Sequence, residues 1–230
     1  MKNLKNKLIG AVVVCAFAPL ANASHFHMDS PYIGAEAIQT NQNYKSGFGR
    51  NIFAKNPQDY SVFVGSKFYK QFGAELGYEF APSKSKSVTL PVGSLATGGS
   101  TALVTNTAFN SKIKATHPYL GIFGEYDHHF AHVGKVKFQA MLGASVSRVK
   151  ASYTATAAGA TVVRNFSKSK VVPMVKLGAT FRATDRVGIR VSANYRNTSS
   201  LKAVAKENAL LNLKLKDTFG VDLGVTYSFK

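Results

Sequence analysis

The sequence predicts an all-β fold, an eight-stranded antiparallel transmembrane β-barrel of the outer-membrane type. Three observations carry that prediction. Segments with an apolar residue at every second position recur eight times, most of them of the nine to thirteen residues that a tilted strand needs to cross a bilayer. The connections between them alternate short and long. Finally, the glycines share parity with the charged residues instead of with the apolar ones.

The chain opens with MKNLKNKLIGAVVVCAFAPLANA. Lys2, Lys5 and Lys7 precede an apolar run from Leu8 to Leu20, and Ala21-Asn22-Ala23 has the small-x-small form of a cleavage site. Residues 1–23 therefore read as an export signal, too short in its apolar part to span comfortably as a helix. The only cysteine, Cys15, follows three valines, which does not suit lipidation, and its removal with the signal leaves no thiol for a disulfide. Residues 24–30 form a short periplasmic segment and 31–230 the barrel. No later segment reaches eighteen apolar residues in a row, so no transmembrane helix is predicted. A membrane barrel escapes that test because its alternation averages to near neutrality.

The predicted strands lie near 31–41, 59–70, 72–82, 113–126, 135–147, 170–182, 187–197 and 217–229. Gln71, residues 127–134 and residues 183–186 make three short periplasmic turns. The other four connections are long extracellular loops, of which 83–112 is rich in Ser, Thr, Ala and Gly. Only 203–213, AVAKENALLNL, carries a hint of helical periodicity, and it reads as a short surface helix within a loop.

The stretch FGAELGYEF (72–80) shows the two faces. Phe72, Ala74, Leu76, Tyr78 and Phe80 share one side, and Gly73, Glu75, Gly77 and Glu79 the other. The last strand sets Phe219, Val221, Leu223, Val225, Tyr227 and Phe229 against Gly220, Asp222 and Gly224. The seventh sets Val187, Ile189, Val191 and Tyr195 against Arg190 and Arg196, and the second sets Val62, Val64 and Phe68 against Gly65 and Lys67. Glycine weakens strands and has no place on a solvated face. In the narrow interior of an eight-stranded barrel, long charged side chains need small neighbours. The apolar face therefore meets lipid and the charges point inward. Glu36, Glu75, Glu79, Glu125 and Asp222 face Lys67, Lys137, Lys176, Arg182, Arg190 and Arg196 as a lumen network, nearly balanced because isolated buried charges are costly.

These features resemble the small outer-membrane barrels of the OmpA/OmpX and opacity-protein type. The resemblance rests on the opening Tyr32-Ile33-Gly34-Ala35, on the Gly-x-Glu-x-Gly-Tyr pattern and on the terminal Asp222-Leu223-Gly224-Val225-Thr226-Tyr227-Ser228-Phe229. It implies location in the cell outer membrane, among lipid and lipopolysaccharide. It also implies that Asp222, Gly224, Tyr227 and Phe229 form the signal read by the barrel-assembly machinery, although Lys230 follows the final aromatic. No chain remains for the periplasmic peptidoglycan-binding domain that some relatives carry.

Charge points to function. The chain has 29 basic and 11 acidic residues. Residues 42–58, 83–114, 148–170 and 197–217 contain sixteen of the basic residues against only Glu207 and Asp217. The group comprises Lys45, Arg50 and Lys55, then Lys84, Lys86 and Lys112, then Arg148, Lys150, Arg164, Lys168 and Lys170, then Lys202 and Lys206, with further lysines at the strand ends. Such a field attracts polyanions: lipopolysaccharide phosphates, sulfated glycans or a host surface, with no specific nucleic acid indicated. The rival reading is a narrow porin-like channel for small solutes or ions, which paired charges across the lumen would block. His128, His129 and His132 read as a polar turn and not a metal site. Ser and His residues share no catalytic motif, so the chain reads as no enzyme, and no cofactor motif is present.

Overall fold

The computed structural model describes residues 29–41, 44–45, 58–92, 105–131, 134–198, 202–205, 208–215 and 217–229. The predicted export signal, its cleavage site, Arg50, Lys55, His132, Lys206 and Lys230 lie outside the described residues. In chain order the strands are β1 (Asp29–Thr40), β2 (Tyr44–Lys45), β3 (Gln58–Tyr69), β4 (Phe72–Phe80), β5 (Lys84–Leu90), β6 (Thr107–Phe130), β7 (Gly134–Ala157), β8 (Ala160–Arg182), β9 (Val187–Arg196), β10 (Lys202–Ala205), β11 (Asn208–Leu215) and β12 (Thr218–Ser228).

The main sheet runs β4-β3-β1-β12-β9-β8-β7-β6-β5, and β4 also pairs with β6, which closes a ring of eight walls. Every pairing in the ring is antiparallel. β4 pairs with the lower part of β6 and β5 with its upper part, so the two short strands follow one another along the same wall. Closure leaves no sheet edge inside the bilayer, where unpaired backbone groups would find no water.

Eight predicted strands correspond to the eight walls, but three of them are much longer than predicted. β6 and β7 each have 24 residues and β8 has 23. Residues 148–170, expected as a loop, continue the β7–β8 hairpin in unbroken register to a two-residue turn at Ala158-Gly159. Both turn residues have positive φ (47° and 82°), the twist that a tight hairpin requires. Residues 83–112, also expected as a loop, contain β5 and the start of β6. The expected helix at 203–213 is instead the β10–β11 hairpin, which joins β2 in a small second sheet. Its sequence explains why: Leu211, Leu213 and Leu215 alternate with Asn212 and Lys214, and period two prevails.

The long strands show what decides their two faces. Below, outward residues such as Leu120, Ile122 and Leu142 are apolar and exposed, while the inward positions carry the buried charges, among them Glu125 and Lys176, together with rings such as Tyr119 and Phe123. Above, the same parity carries Lys112, Lys114, Arg148 and Lys150 outward. The inward positions there become a buried apolar cluster of Leu90, Phe109, Ile113, Val149, Tyr153 and Phe166. The strands do not twist over; the medium outside changes from lipid to water. Two aromatic belts agree with that boundary. Tyr69, Phe72, Tyr126, Phe138, Phe181 and Tyr227 ring the short-turn end, and Tyr60, Tyr78, Phe80, Tyr195 and Phe219 the other. Phe72 and Phe80 bound β4, so the belts lie about 26 Å apart along that strand, which is about 20 Å of membrane height at the usual strand tilt of about 40°.

Alternation slips within β3. A bulge between Lys67 and Tyr69 turns Tyr69 out to 59% exposure and leaves Phe68, expected on the lipid face, only partly exposed.

Candidate functional site

The lumen is filled by three tiers of ion pairs. At the short-turn end the Glu125 carboxylate lies 3.0 Å from the Lys137 ammonium and 3.3 Å from that of Lys67, ion-paired but not aligned for hydrogen bonds. In the middle, Arg190 bonds Glu75 through Nη1 at 2.6 Å and Nη2 at 3.3 Å, and its Nε lies 3.2 Å from Glu36. Lys176 Nζ reaches Glu36 at 2.6 Å and Asp222 at 3.3 Å. At the upper end Arg196 Nη1 lies 2.6 Å from Glu79, close but not aligned as a hydrogen bond. Pairing of this kind is what allows charge to persist in a closed interior.

Hydroxyl and amide groups complete the middle tier. Tyr32 and Tyr119 each donate to Glu75 at 2.8 Å, and Gln139 donates to the Tyr32 hydroxyl at 3.2 Å. Ser192 and Asn194 donate to Asp222 at 2.9 and 2.6 Å. The Phe63 ring takes the Arg190 guanidinium at 4.7 Å and the Lys176 ammonium at 5.5 Å from its centroid. Every carboxylate oxygen of Glu75 thus has donors.

Ten of the eleven predicted network residues take part in these pairs. Arg182 does not: it is the last residue of β8, is exposed, and lines a polar vestibule at the short-turn mouth with Glu125 and Lys137. The strand ends there, and its side chain reaches water. Asp59 joins the buried set instead, with no exposure. Its parity with Ser61, Gly65 and Lys67 was readable from the sequence.

The glycines make room chiefly for rings rather than for ions. A Cβ on Gly77 would clash with the Tyr119 ring, and one on Gly34 with the Phe63 ring. Tyr32, Phe63, Tyr119, Phe123, Met141 and Met174 pack together among the ion pairs, an apolar set at inward positions.

One pairing joins residues that no motif connects. His117 Nδ1 lies 3.0 Å from Ser147 Oγ, and both side chains are almost wholly buried. No substrate carbonyl can reach a hydroxyl enclosed in this way, so the pair braces the wall between β6 and β7. His128 and His129 are exposed on the lower end of β6, and His128 packs against the Phe130 ring at 4.5 Å. Among the described residues no group of three metal-ligating side chains converges.

The predicted loop cations divide among several positions. Lys84 and Lys86 lie on β5 and Lys112 on β6; Arg148 and Lys150 lie on β7 and Arg164, Lys168 and Lys170 on β8. Register gives Lys84, Lys86, Arg164, Lys168 and Lys170 the inward parity of the barrel mouth. Lys45 and Lys202 occupy the small sheet, in one register row with Lys214 between them. Burial raises the Tyr153 phenol, against the opposing charge of Arg164 across the hairpin. In the terminal strand Asp222 and Gly224 face the lumen, whereas the Tyr227 and Phe229 rings meet edge to face on the outer surface at 5.2 Å.

A family model described as "Outer membrane protein beta-barrel domain" matches residues 8–229. The chain belongs to that family. The barrel is accordingly an outer-membrane protein of the Gram-negative envelope. It is similar to a major outer membrane protein from Thermus thermophilus, with TM-score 0.55 and 13% identity, covering 88% of this chain and 100% of that one. It is also similar to Ail of Yersinia pestis, solved with the heparin analogue sucrose octasulfate, at TM-score 0.45 and 13% identity over 88% of this chain and 100% of that one. OprG of Pseudomonas aeruginosa gives 0.46 and 10% over 89% and 98%. At such identities the likeness speaks for fold alone. No curated protein matches the chain.

Proposed function

We propose that this outer-membrane barrel is a non-enzymatic surface-binding protein, in which a plugged lumen supports a basic extracellular wall that binds polyanions. One observation carries the reading. The wall formed by residues 84–90, 107–116 and 147–170 holds nine Lys and Arg residues and not one acidic residue. A rigid sheet with that composition presents a field that concentrates anions and releases counterions on binding. Sulfated glycans and host-surface polyanions suit its mouth-facing set. Residues 1–23 are taken as the export signal, and Asp222, Gly224, Tyr227 and Phe229 as the strand read by the assembly machinery.

The test is a salt series with purified protein and heparin. Binding should fall log-linearly with salt, and Arg164→Gln/Lys168→Gln/Lys170→Gln should weaken it and flatten the slope. The control Lys70→Gln/Lys135→Gln/Arg186→Gln, at the periplasmic end, should change neither. Equal loss from both sets would reduce the effect to general attraction for a basic protein.

The channel reading has one supporting feature, the polar vestibule at the short-turn mouth, whose lining reaches inward to Arg190. It meets its barrier at Glu75, which has no exposure, and Arg190, which has 2%. A steady, large conductance of the unmodified protein in planar bilayers would favour the channel.

A further inference from the structure

The vestibule at the short-turn mouth holds cations that the lumen network leaves unused. Arg182 ends β8 with inward parity, and among the described residues its guanidinium makes no hydrogen bond or ion pair. Its register partner on β9 is Gly188, so no side chain opposes it from that wall. On the other flank Lys137 is the partner of Thr180, two residues before Arg182. Lys137 and Arg182 are therefore diagonal neighbours on one face. Lys137 is itself only half neutralised, because it shares the Glu125 carboxylate with Lys67. Glu125 is turned inward, with 5% of its side chain exposed, whereas Lys137 keeps 18% and Lys67 20%.

The other carboxylates nearby do not cancel this excess. Asp185 lies on the exposed turn between β8 and β9 with a contact of its own, and Asp127, the register partner of Lys137, makes no ion pair with it. Arg186 adds a further positive charge at the rim, where its Nη1 donates to the Tyr227 hydroxyl at 3.4 Å. The shape of the recess limits what it admits. It opens at the mouth and ends at Tyr32 and at Arg190, whose charge is taken by Glu75 and Glu36. Its free space is about 40 Å³, room for one anionic group and not for a whole sugar or nucleotide. A blind, positive recess of that size receives an end group whose remainder stays outside.

We propose that the vestibule is a binding site for the terminal carboxylate of a peptide that reaches the barrel from its short-turn side. The Arg182 guanidinium holds the carboxylate through two parallel N–H donors, and Lys137 supplies the second positive charge. A sugar acid carries its carboxylate directly on a ring too wide for the recess, whereas a peptide ends on a single tapered carbon. A phosphate, at nearly two negative charges, needs more cation than Arg182 and a half-neutralised Lys137 provide. The site is separate from the basic wall at the opposite end of the barrel and does not depend on its reading.

The experiment uses the full folded barrel, isotope-labelled in detergent micelles, titrated with tri-alanine and followed by NMR at the Gly188 and Val187 amides. Heat-modifiable migration on gels verifies that each variant is folded. Tri-alanine is expected to shift both amides saturably, and its C-terminal amide to bind at least about tenfold more weakly, as loss of a charge-assisted hydrogen bond requires. Acetate is expected to compete with tri-alanine, and inorganic phosphate to compete no better than acetate. Arg182→Gln is expected to abolish most of the preference for the free acid. Arg182→Lys should restore part of it, since the charge returns without the fork. Arg164→Gln/Lys168→Gln/Lys170→Gln, at the far mouth, is expected to leave the titration unchanged. Equal binding of acid and amide, or no saturable shift, overturns the proposal, as does a preference that survives Arg182→Gln or is lost equally in the far-mouth variant. Stronger competition by phosphate than by acetate overturns the assignment to a carboxylate.

Discussion

Arg190 and Glu75 meet across the closed lumen as a two-pronged ion pair, at 2.6 and 3.3 Å, from positions 115 residues apart in the chain. Nothing local could bring them together; the ring does. Their contact is a structural brace, closed off from solvent at both side chains.

Removing one member leaves the other charged and buried. Glu75→Gln is expected to destabilise the barrel by about 3–5 kcal/mol, measured by urea unfolding in detergent or lipid. Arg190→Ala should cost a similar amount, and the double variant should cost less than the sum of the two. The same double variant should conduct in planar bilayers where the unmodified protein stays closed. Additive costs would show that the two residues do not act as a pair.

Gly77 and Tyr119 give a packing test. Gly77→Ala drives a methyl into the Tyr119 ring and is expected to cost about 1–3 kcal/mol. In a Tyr119→Ala background the same change should cost almost nothing. A cost unaffected by position 119 would place the strain in the backbone.

Topology is checked at the turns. Cysteine at Ala158, on the tip of the β7–β8 hairpin, should react with an impermeant maleimide on intact cells. Cysteine at Thr184, in the turn where Thr184 Oγ1 accepts from the Val187 amide at 3.0 Å, should react only after the outer membrane is permeabilised. Reaction of position 184 on intact cells would invert the barrel.

The walls were legible because alternation is local: FGAELGYEF declares both faces within nine residues. The inward acids followed from the same rule, and Asp59 could have been added by it. The inward rings could not be anticipated so directly. Phe63 and Tyr119 follow inward parity, yet aromatic residues are equally common on the lipid face, and only the glycines opposite them mark the difference. The height of β6–β8 was missed for a related reason. Above the membrane the sequence inverts, with Lys112 and Lys150 outside and Ile113 and Val149 inside, so a search for strands with greasy exteriors stops at the waterline. The Ser147–His117 contact was not legible, since it depends on the exact register of the β6–β7 hairpin.

Lys176 has a consequence for how the barrel closes. Its ammonium contacts Glu36 on β1 and Asp222 on β12, the first and last strands, whose pairing completes the ring. That seam joins the two ends of the barrel sequence and bears the largest loop-closure entropy, whereas the β6–β8 meander is built from consecutive hairpins. One side chain from a third strand therefore clasps both sides of the join. Ring closure and neutralisation of Lys176 become a single event, and sideways opening of the seam would deliver two carboxylates and an ammonium to hydrocarbon. The barrel is held shut from within at the one place where its chain does not already connect neighbouring walls.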